Sequence, residues 1–320
     1  MPAFSASAPG KAILFGEHAV VYGRPAIAVP VTQVQAHAVV MPDPSLQRGE
    51  FLISAPDVHL DCRIGDLPAG HGFRRLFEAL AEYYKMDHFP SARLRITSTV
   101  PMEAGLGSGA AVSVAVIRAV SAYLGRRLDD SVVSALAYEV EKIYHGNPSG
   151  IDNTVITYAR PIYFTRGQPF ELLYPAEPLF LVIADTGKAS STAEVVGDVR
   201  RHWLEEPDAY NIRFDAIGSI VHRARLCIEQ GLMQELGSLM DLNQGILQEL
   251  DVSSPELDNL ISAARSAGAL GAKLSGAGRG GNMIALVRPS EGSLVAAALE
   301  NAGAVQIYVS QIIPNLSRGE

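Results

Sequence analysis

The chain has 320 residues, 48% hydrophobic and 19% charged, which suits two domains or one large one and excludes global disorder. Its formal net charge of −8 argues against a general nucleic-acid binder. Cys62 and Cys227 stand too far apart for zinc or redox spacing, so buried, reduced thiols are expected.

Residues 1–8 carry neither a basic n-region nor a long apolar h-region, and no signal peptide is expected. Ile27 to Val40 is rich in Val, Ala and Thr with partial alternation, and predicts a strand, as do Phe51 to Ile53 and Leu94 to Thr99. Phe73, Leu76, Phe77, Leu80 and Tyr84 recur at helical spacing and predict a helix over 72–84. A small-residue helix is expected from Ser108 to Leu124, with Ser108 as N-cap and Gly125 as the stop. Arg118 interrupts its apolar run, so it is no membrane span and a cytoplasmic location is expected. A second helix runs from Ser131 to His145, opened by Asp129 or Asp130 and closed by Gly146.

Beyond Asp152, Thr154 to Tyr158 and Pro161 to Phe164 are expected to be extended. The Pro-rich, acidic stretch at 174–178 marks a domain boundary, giving domains at 1–176 and 177–320. Leu179 to Ala184 follows as a buried strand. Helices are then expected at Thr192–Leu204, Asp208–Gln230, Leu232–Leu250, Pro255–Ala267 and Ser290–Ala302, with strands at Met283–Val287 and Ala304–Val309. Without a regular βαβ rhythm, the mixture favours an α+β fold.

Glycine concentrates at three places: Gly10 to Gly16, Gly105-Leu106-Gly107-Ser108-Gly109, and Gly276-Ala277-Gly278-Arg279-Gly280-Gly281. Such runs let main-chain N–H groups approach an anion, most often phosphate. The third run fits G-x-G-x-x-G numerically, but a helix is expected before it and a strand after it, which is the wrong context for dinucleotide binding. A hairpin-like turn is its bland alternative. Gly10-Lys11 and Gly187-Lys188 are each followed by Ala, so no Walker A motif is present, and protein-kinase signatures are absent. The second run leads into an apolar helix, where unobstructed N–H groups and the macrodipole suit a polyphosphate; a simple capped turn fits equally well.

Three segments taken together resemble the motifs of the GHMP small-molecule kinases. They are Ala8-Pro9-Gly10-Lys11 through Gly16-Glu17-His18 to Gly23, the 101–111 loop, and Lys273-Leu274-Ser275-Gly276-Ala277-Gly278. The first motif, with His145-Gly146-Asn147-Pro148-Ser149-Gly150-Ile151-Asp152-Asn153, is most similar to members that act on mevalonate. The resemblance spans residues 8–281. It implies a ribosomal-S5-like N-terminal domain, a ferredoxin-like C-terminal domain, and ATP-dependent, Mg²⁺-assisted phosphorylation of the mevalonate C5 hydroxyl. Two alternatives stay open: a GHMP kinase for phosphomevalonate, homoserine or a sugar, and a catalytically silent metabolite-binding member.

Residue by residue, the resemblance makes Asp152 the base and Lys11 its partner. A turn aspartate and a surface lysine are the alternatives on the residues alone. Glu17, His18, His145, Gly146, Asn147, Ser149 and Thr192 fall on the substrate side, although His18 would also serve as a structural histidine and Thr192 as a helix cap. The resemblance places ATP on Glu103, Ala104, Gly105, Leu106, Gly107, Ser108, Gly109, Ala110 and Ala111, and on Gly276, Ala277 and Gly278. Mg²⁺ falls to Ser108 and Glu141, the latter otherwise a solvated helix residue. Members of the family usually read Gly-Leu-Gly-Ser-Ser in the second loop; here Gly109 replaces the second serine. Arg279 is expected either to meet phosphate or to face solvent. A small-molecule substrate is implied, with no nucleic acid or membrane partner, and homodimerisation is a family-level expectation.

Overall fold

Small and β-branched residues dominate the first forty positions, and the chain spends them on two long strands. The computed structural model describes residues 3–102, 104–145 and 148–314, with the backbone alone at 144 and 145. In order these form β1 (Phe4–Phe15), β2 (Ala26–Pro42), β3 (Phe51–Ala55), β4 (Leu60–Arg63), α1 (Gly72–Tyr84), β5 (Ala92–Ser98), α2 (Ser108–Tyr123), α3 (Asp130–His145) and α4 (Ile151–Tyr158). There follow β6 (Ile162–Phe164), β7 (Glu171–Leu172), β8 (Leu179–Asp185), α5 (Thr192–Glu205), α6 (Pro207–Gln230), α7 (Met233–Glu249), α8 (Pro255–Ser266), β9 (Gly271–Ser275), β10 (Asn282–Val287), α9 (Gly292–Asn301) and β11 (Gln306–Ile312). The fold is α+β, as the irregular rhythm of the sequence leads one to expect.

The chain divides into two compact units, each assembled from separate stretches. The first comprises Met1–Gly10, Val34–Met102 and Gly107–Ala159; the second comprises Lys11–Gln33, Glu103–Leu106 and Arg160–Glu320. In the first unit β5 pairs antiparallel with the later part of β2 and parallel with β3, while β3 pairs antiparallel with β4. Helices α1 to α4 pack on one another, with α3 touching each of the other three. Helix α2 is apolar on nearly every face, with Val114, Ala115, Val116, Ile117, Ala119 and Val120 all excluded from solvent, the pattern of a central core helix.

In the second unit β8, β9, β10 and β11 form a four-stranded antiparallel sheet in the order β11-β8-β10-β9. Numbered along the chain that order is 4-1-3-2, the ferredoxin-like arrangement. Strands β8, β9 and β10 are buried along most of their length because α7, α8 and α9 cover the sheet, while the edge strand β11 is largely exposed or half-buried.

Two local expectations are corrected. Residues 154–158 form the end of a helix, not a strand. Thr154, Val155, Ile156 and Thr157 are β-formers by propensity, but all four are buried where α4 packs against α2 and α3, and tertiary packing overrides propensity. The Thr154 hydroxyl also donates to Gly150 O at 2.7 Å, settling into the helical ladder. The element before the third glycine run is strand β9 rather than a helix, because the chain leaves α8 at Ala267 and turns through Gly268 (φ 100°). Among the described residues no helix is long and apolar enough to cross a membrane.

Candidate active site

The second glycine run carries two left-handed residues, Gly105 (φ 76°) and Gly107 (φ 75°), immediately before α2. Gly107, not Ser108, occupies the N-cap position, and no side chain caps the helix. Ser108 is the first helical residue, and its hydroxyl turns back to donate to Val100 O at 3.4 Å. Its expected capping role is therefore wrong, and the reason is the left-handed turn, which only glycine enters without strain. The result is a helix start whose N–H groups are left for an external acceptor. Ala104 to Leu106 are held within the second unit: Lys11 N–H donates to Leu106 O at 2.9 Å, and the Asn282 amide donates to Ala104 O. Glu103 lies outside the described residues.

Gly109 sits in the first turn of α2, and among the described residues a Cβ there would meet only Glu141 Oε1, at 3.4 Å. Glu141, on α3, is 5% exposed, so it is no solvated helix residue. A buried carboxylate facing a space that a side chain would otherwise fill suits a small hard cation with retained water. Among the described residues no three His, Cys, Asp or Glu side chains converge as a metal cluster. Magnesium needs few protein ligands when phosphate supplies the rest, so the donors present fit it.

Asp152 lies in the first turn of α4, which Gly150 (φ 91°) opens. Ser149 Oγ accepts from Ile151 N–H at 3.4 Å, and the Asn153 amide donates to Ser134 O and Oγ at 3.1 and 2.9 Å. These bonds fix the turn on both sides of Asp152, which remains half-buried. His145 ends α3; its side chain, Gly146 and Asn147 lie outside the described residues.

In the second unit Lys11 is buried within β1, contrary to a surface placement. Gly16 follows with φ 97°, and a Cβ there would come within 2.6 Å of the Ala26 backbone, so only glycine fits. Glu17 and His18 come next, both buried, with His18 in the left-handed region at φ 59°. His18 Nε2 lies 2.8 Å from Ala277 O in the third glycine run. Burial lowers the His18 pKa to about 4, a drop that this carbonyl contact opposes. Glu17 Oε1 accepts from the ammonium of Lys273, a fully buried lysine on β9.

The third run links β9 to β10 as a hairpin, closing after the pair Ser275–Asn282. Ser275 Oγ both accepts from Ile13 N–H at 3.1 Å and donates to Ile13 O at 2.9 Å, joining this hairpin to β1. At Gly278 a Cβ would lie 1.9 Å from Val252 O, so the loop needs glycine there. Arg279 does not face solvent freely. Its guanidinium is engaged by Asp198 at 2.6 Å, Asp251 at 3.1 Å and Asp251 O at 2.9 Å. Thr192 is the exposed first residue of α5; the cap is Ser191, whose hydroxyl accepts from Glu194 N–H at 3.3 Å.

The GHMP kinases N terminal domain model matches residues 71–160, and the GHMP kinases C terminal model matches residues 224–305. The chain is 37% identical to a mevalonate kinase of Thermococcus sibiricus, with 94% of each chain covered. It is also 37% identical to a mevalonate kinase of Pyrococcus horikoshii, covering 94% of this chain and 93% of that one. The chain belongs to the GHMP kinase family. A solved structure of Leishmania major mevalonate kinase in complex with R-mevalonate superposes with a TM-score of 0.85 at 30% identity, covering 98% of this chain and 97% of that one. For a GHMP kinase, ATP is the phosphate donor and a small molecule the acceptor.

Sequence reasoning did not assign a role to Lys273. The available signal was its position beside Leu274 and Ser275 in a short apolar strand, where an unpaired ammonium is not tolerated. Asn282 was missed too, since nothing in its sequence neighbours points toward Ala104.

Proposed function

We propose that the chain transfers the terminal phosphoryl group of ATP to the C5 hydroxyl of mevalonate, as a cytoplasmic enzyme of isoprenoid precursor synthesis. The observation that carries the reading is the 30% identity and TM-score of 0.85 to a mevalonate kinase bound to R-mevalonate, over 98% of this chain. The buried state of Lys11, Glu17, His18 and Glu141 supports it, because charged and polar side chains are seldom shut away without work to do.

In this reading Asp152 accepts the proton of the C5 hydroxyl, and the ammonium of Lys11 stabilises the oxygen as it becomes a nucleophile. The turn fixed by Ser149 and Asn153 orients Asp152, while Glu17 and His18 hold the rest of the acceptor. His18 presents a neutral ring at physiological pH, so it orients by hydrogen bonding rather than by charge. His145, Gly146, Asn147 and Thr192 complete the proposed acceptor side. Backbone N–H groups from Ala104 to Ala111, with Gly276, Ala277 and Gly278, bind the phosphates. Glu141, with Ser108 and water, would hold Mg²⁺, which neutralises phosphate charge during transfer.

The division at 1–176 and 177–320 is retained as the family-level domain proposal, since the two family models fall on either side of it. Homodimerisation, and the lack of nucleic-acid and membrane partners, belong to the same proposal. The test is ADP release with mevalonate, phosphomevalonate, homoserine and galactose, with NMR of the product. Turnover with mevalonate alone and phosphate on C5 is expected. Preference for another acceptor, or no turnover with any, overturns the reading.

A further inference from the structure

Glu17 and Lys273 form a buried ion pair between a residue of the first glycine motif and a strand of the second unit's sheet. Lys273 Nζ donates to Glu17 Oε1 and also to Leu274 O at 2.5 Å. The other carboxylate oxygen, Glu17 Oε2, is shut off from solvent and has no hydrogen-bond partner among the described residues. A purely structural pair gives no reason for this, because an apolar pair of similar volume packs at least as well and orphans nothing. Next along the chain stands His18, at φ 59° and ψ −50°, a tight-turn conformation outside the usual left-handed helical region and strained for a residue with a side chain. A vacant acceptor beside a strained, buried histidine in a family motif is the pattern of a binding group, not of a brace.

We propose that Lys273 is a positioning residue for acceptor recognition: it fixes Glu17 through Oε1 and so reserves Oε2 for a hydroxyl donor of the substrate. The inference rests on the mevalonate reading. There the C5 hydroxyl goes to the reaction, which leaves the C3 hydroxyl as the donor for Oε2. Burial pushes the Glu17 carboxyl up, and Lys273 is the strongest influence holding it down, with Lys11 adding a smaller one in the same direction. Without Lys273 the carboxylate loses the partner that fixes Oε1, and Oε2 is no longer held in place as an acceptor. Lys273 thus acts through Glu17 and touches no reacting atom. It decides whether the site distinguishes a substrate that carries the second hydroxyl from one that lacks it.

The experiment compares kcat/KM for mevalonate and for its 3-deoxy analogue in the wild-type enzyme, in Lys273→Met, and in the double variant Lys273→Met/Glu17→Gln. KM for ATP and thermal denaturation are measured alongside. The wild type is expected to prefer mevalonate by a hundredfold or more. In both variants the preference falls below tenfold through a raised mevalonate KM, while KM for ATP moves less than twofold. The double variant removes both charges together and stays folded if Lys273→Met does not.

A wild-type preference near one overturns the proposal whatever the variants do. So does a double variant that keeps the full preference, for then the pair only neutralises itself. A wild type that phosphorylates neither compound, but accepts another of the four acceptors, overturns the mevalonate reading instead.

Discussion

At position 109 this chain has glycine where the motif that it resembles carries a second serine, and a Cβ there would lie beside Glu141. A serine there would place its Cβ 3.4 Å from Glu141 Oε1, ordinary van der Waals contact, with nothing else within 4 Å among the described residues. Gly109→Ser is therefore expected to fold normally and to lower the free Mg²⁺ needed for half-maximal rate several-fold. Initial rates against free Mg²⁺ at fixed ATP decide it, and an unchanged requirement removes Glu141's neighbourhood from the metal site. His18 carries a different kind of prediction. Its pKa falls from 6.5 to about 4 on folding, so between those values the unfolded chain binds the proton and the folded one does not. The neutral ring's contribution is complete above pH 6.5 and is lost as pH falls toward 4, about 3 kcal/mol across the window. His18→Gln should flatten the dependence of denaturation midpoint on pH between 7 and 5, leaving a shallower slope from the remaining groups. An unaltered slope would mean that the ring is not buried in the neutral form.

Among the elements, those governed by local rules were legible and those governed by distant contacts were not. Helix α1 was predicted over its observed span because Leu76, Phe77, Leu80 and Tyr84 share one buried face. Strand β1 is hard to delimit from sequence because its last eight residues are buried without interruption and show no alternation, the signature of a strand covered on both sides. Helix α4 departs from a propensity reading for the complementary reason, since its β-branched run obeys its packing rather than its propensity. The site divides in the same way. Lys11, Glu141 and Asp152 came from a motif spread over most of the chain, whereas Lys273 and Asn282 act through contacts with Glu17 and Ala104 that no local pattern announces. Asn282 yields an element-scale prediction. Its amide supports Ala104 O at the entrance to the proposed phosphate loop, so Asn282→Ala leaves that carbonyl unpaired at a cost of about 1–3 kcal/mol. The KM for ATP should rise several-fold with kcat and the mevalonate KM little changed. Equal losses in both KM values would assign Asn282 to the general stability of β10 instead.

For the whole molecule, the compact units do not coincide with a single cut in the chain. Residues 11–33 belong to the unit that also holds 160–320, and residues 103–106 join them there. Their bonds show what that membership entails. Ile13 is tied through both backbone groups to Ser275, Glu17 to Lys273, His18 to Ala277, and Arg24 to Asp215. A fragment of residues 1–176 keeps Ala12, Ile13, Leu14 and Phe15, all buried in the intact chain, but loses these partners. A fragment of residues 177–320 keeps Lys273 and loses Glu17, which leaves a buried ammonium without its counter-charge, a strongly destabilising defect. Each fragment expressed alone is expected to lack a cooperative thermal transition and to bind a hydrophobic dye, while co-expression restores a soluble complex. Cooperative unfolding of 1–176 by itself, without dye binding, would show that residues 11–33 fold with the first unit and that the boundary near residue 176 is also a folding boundary.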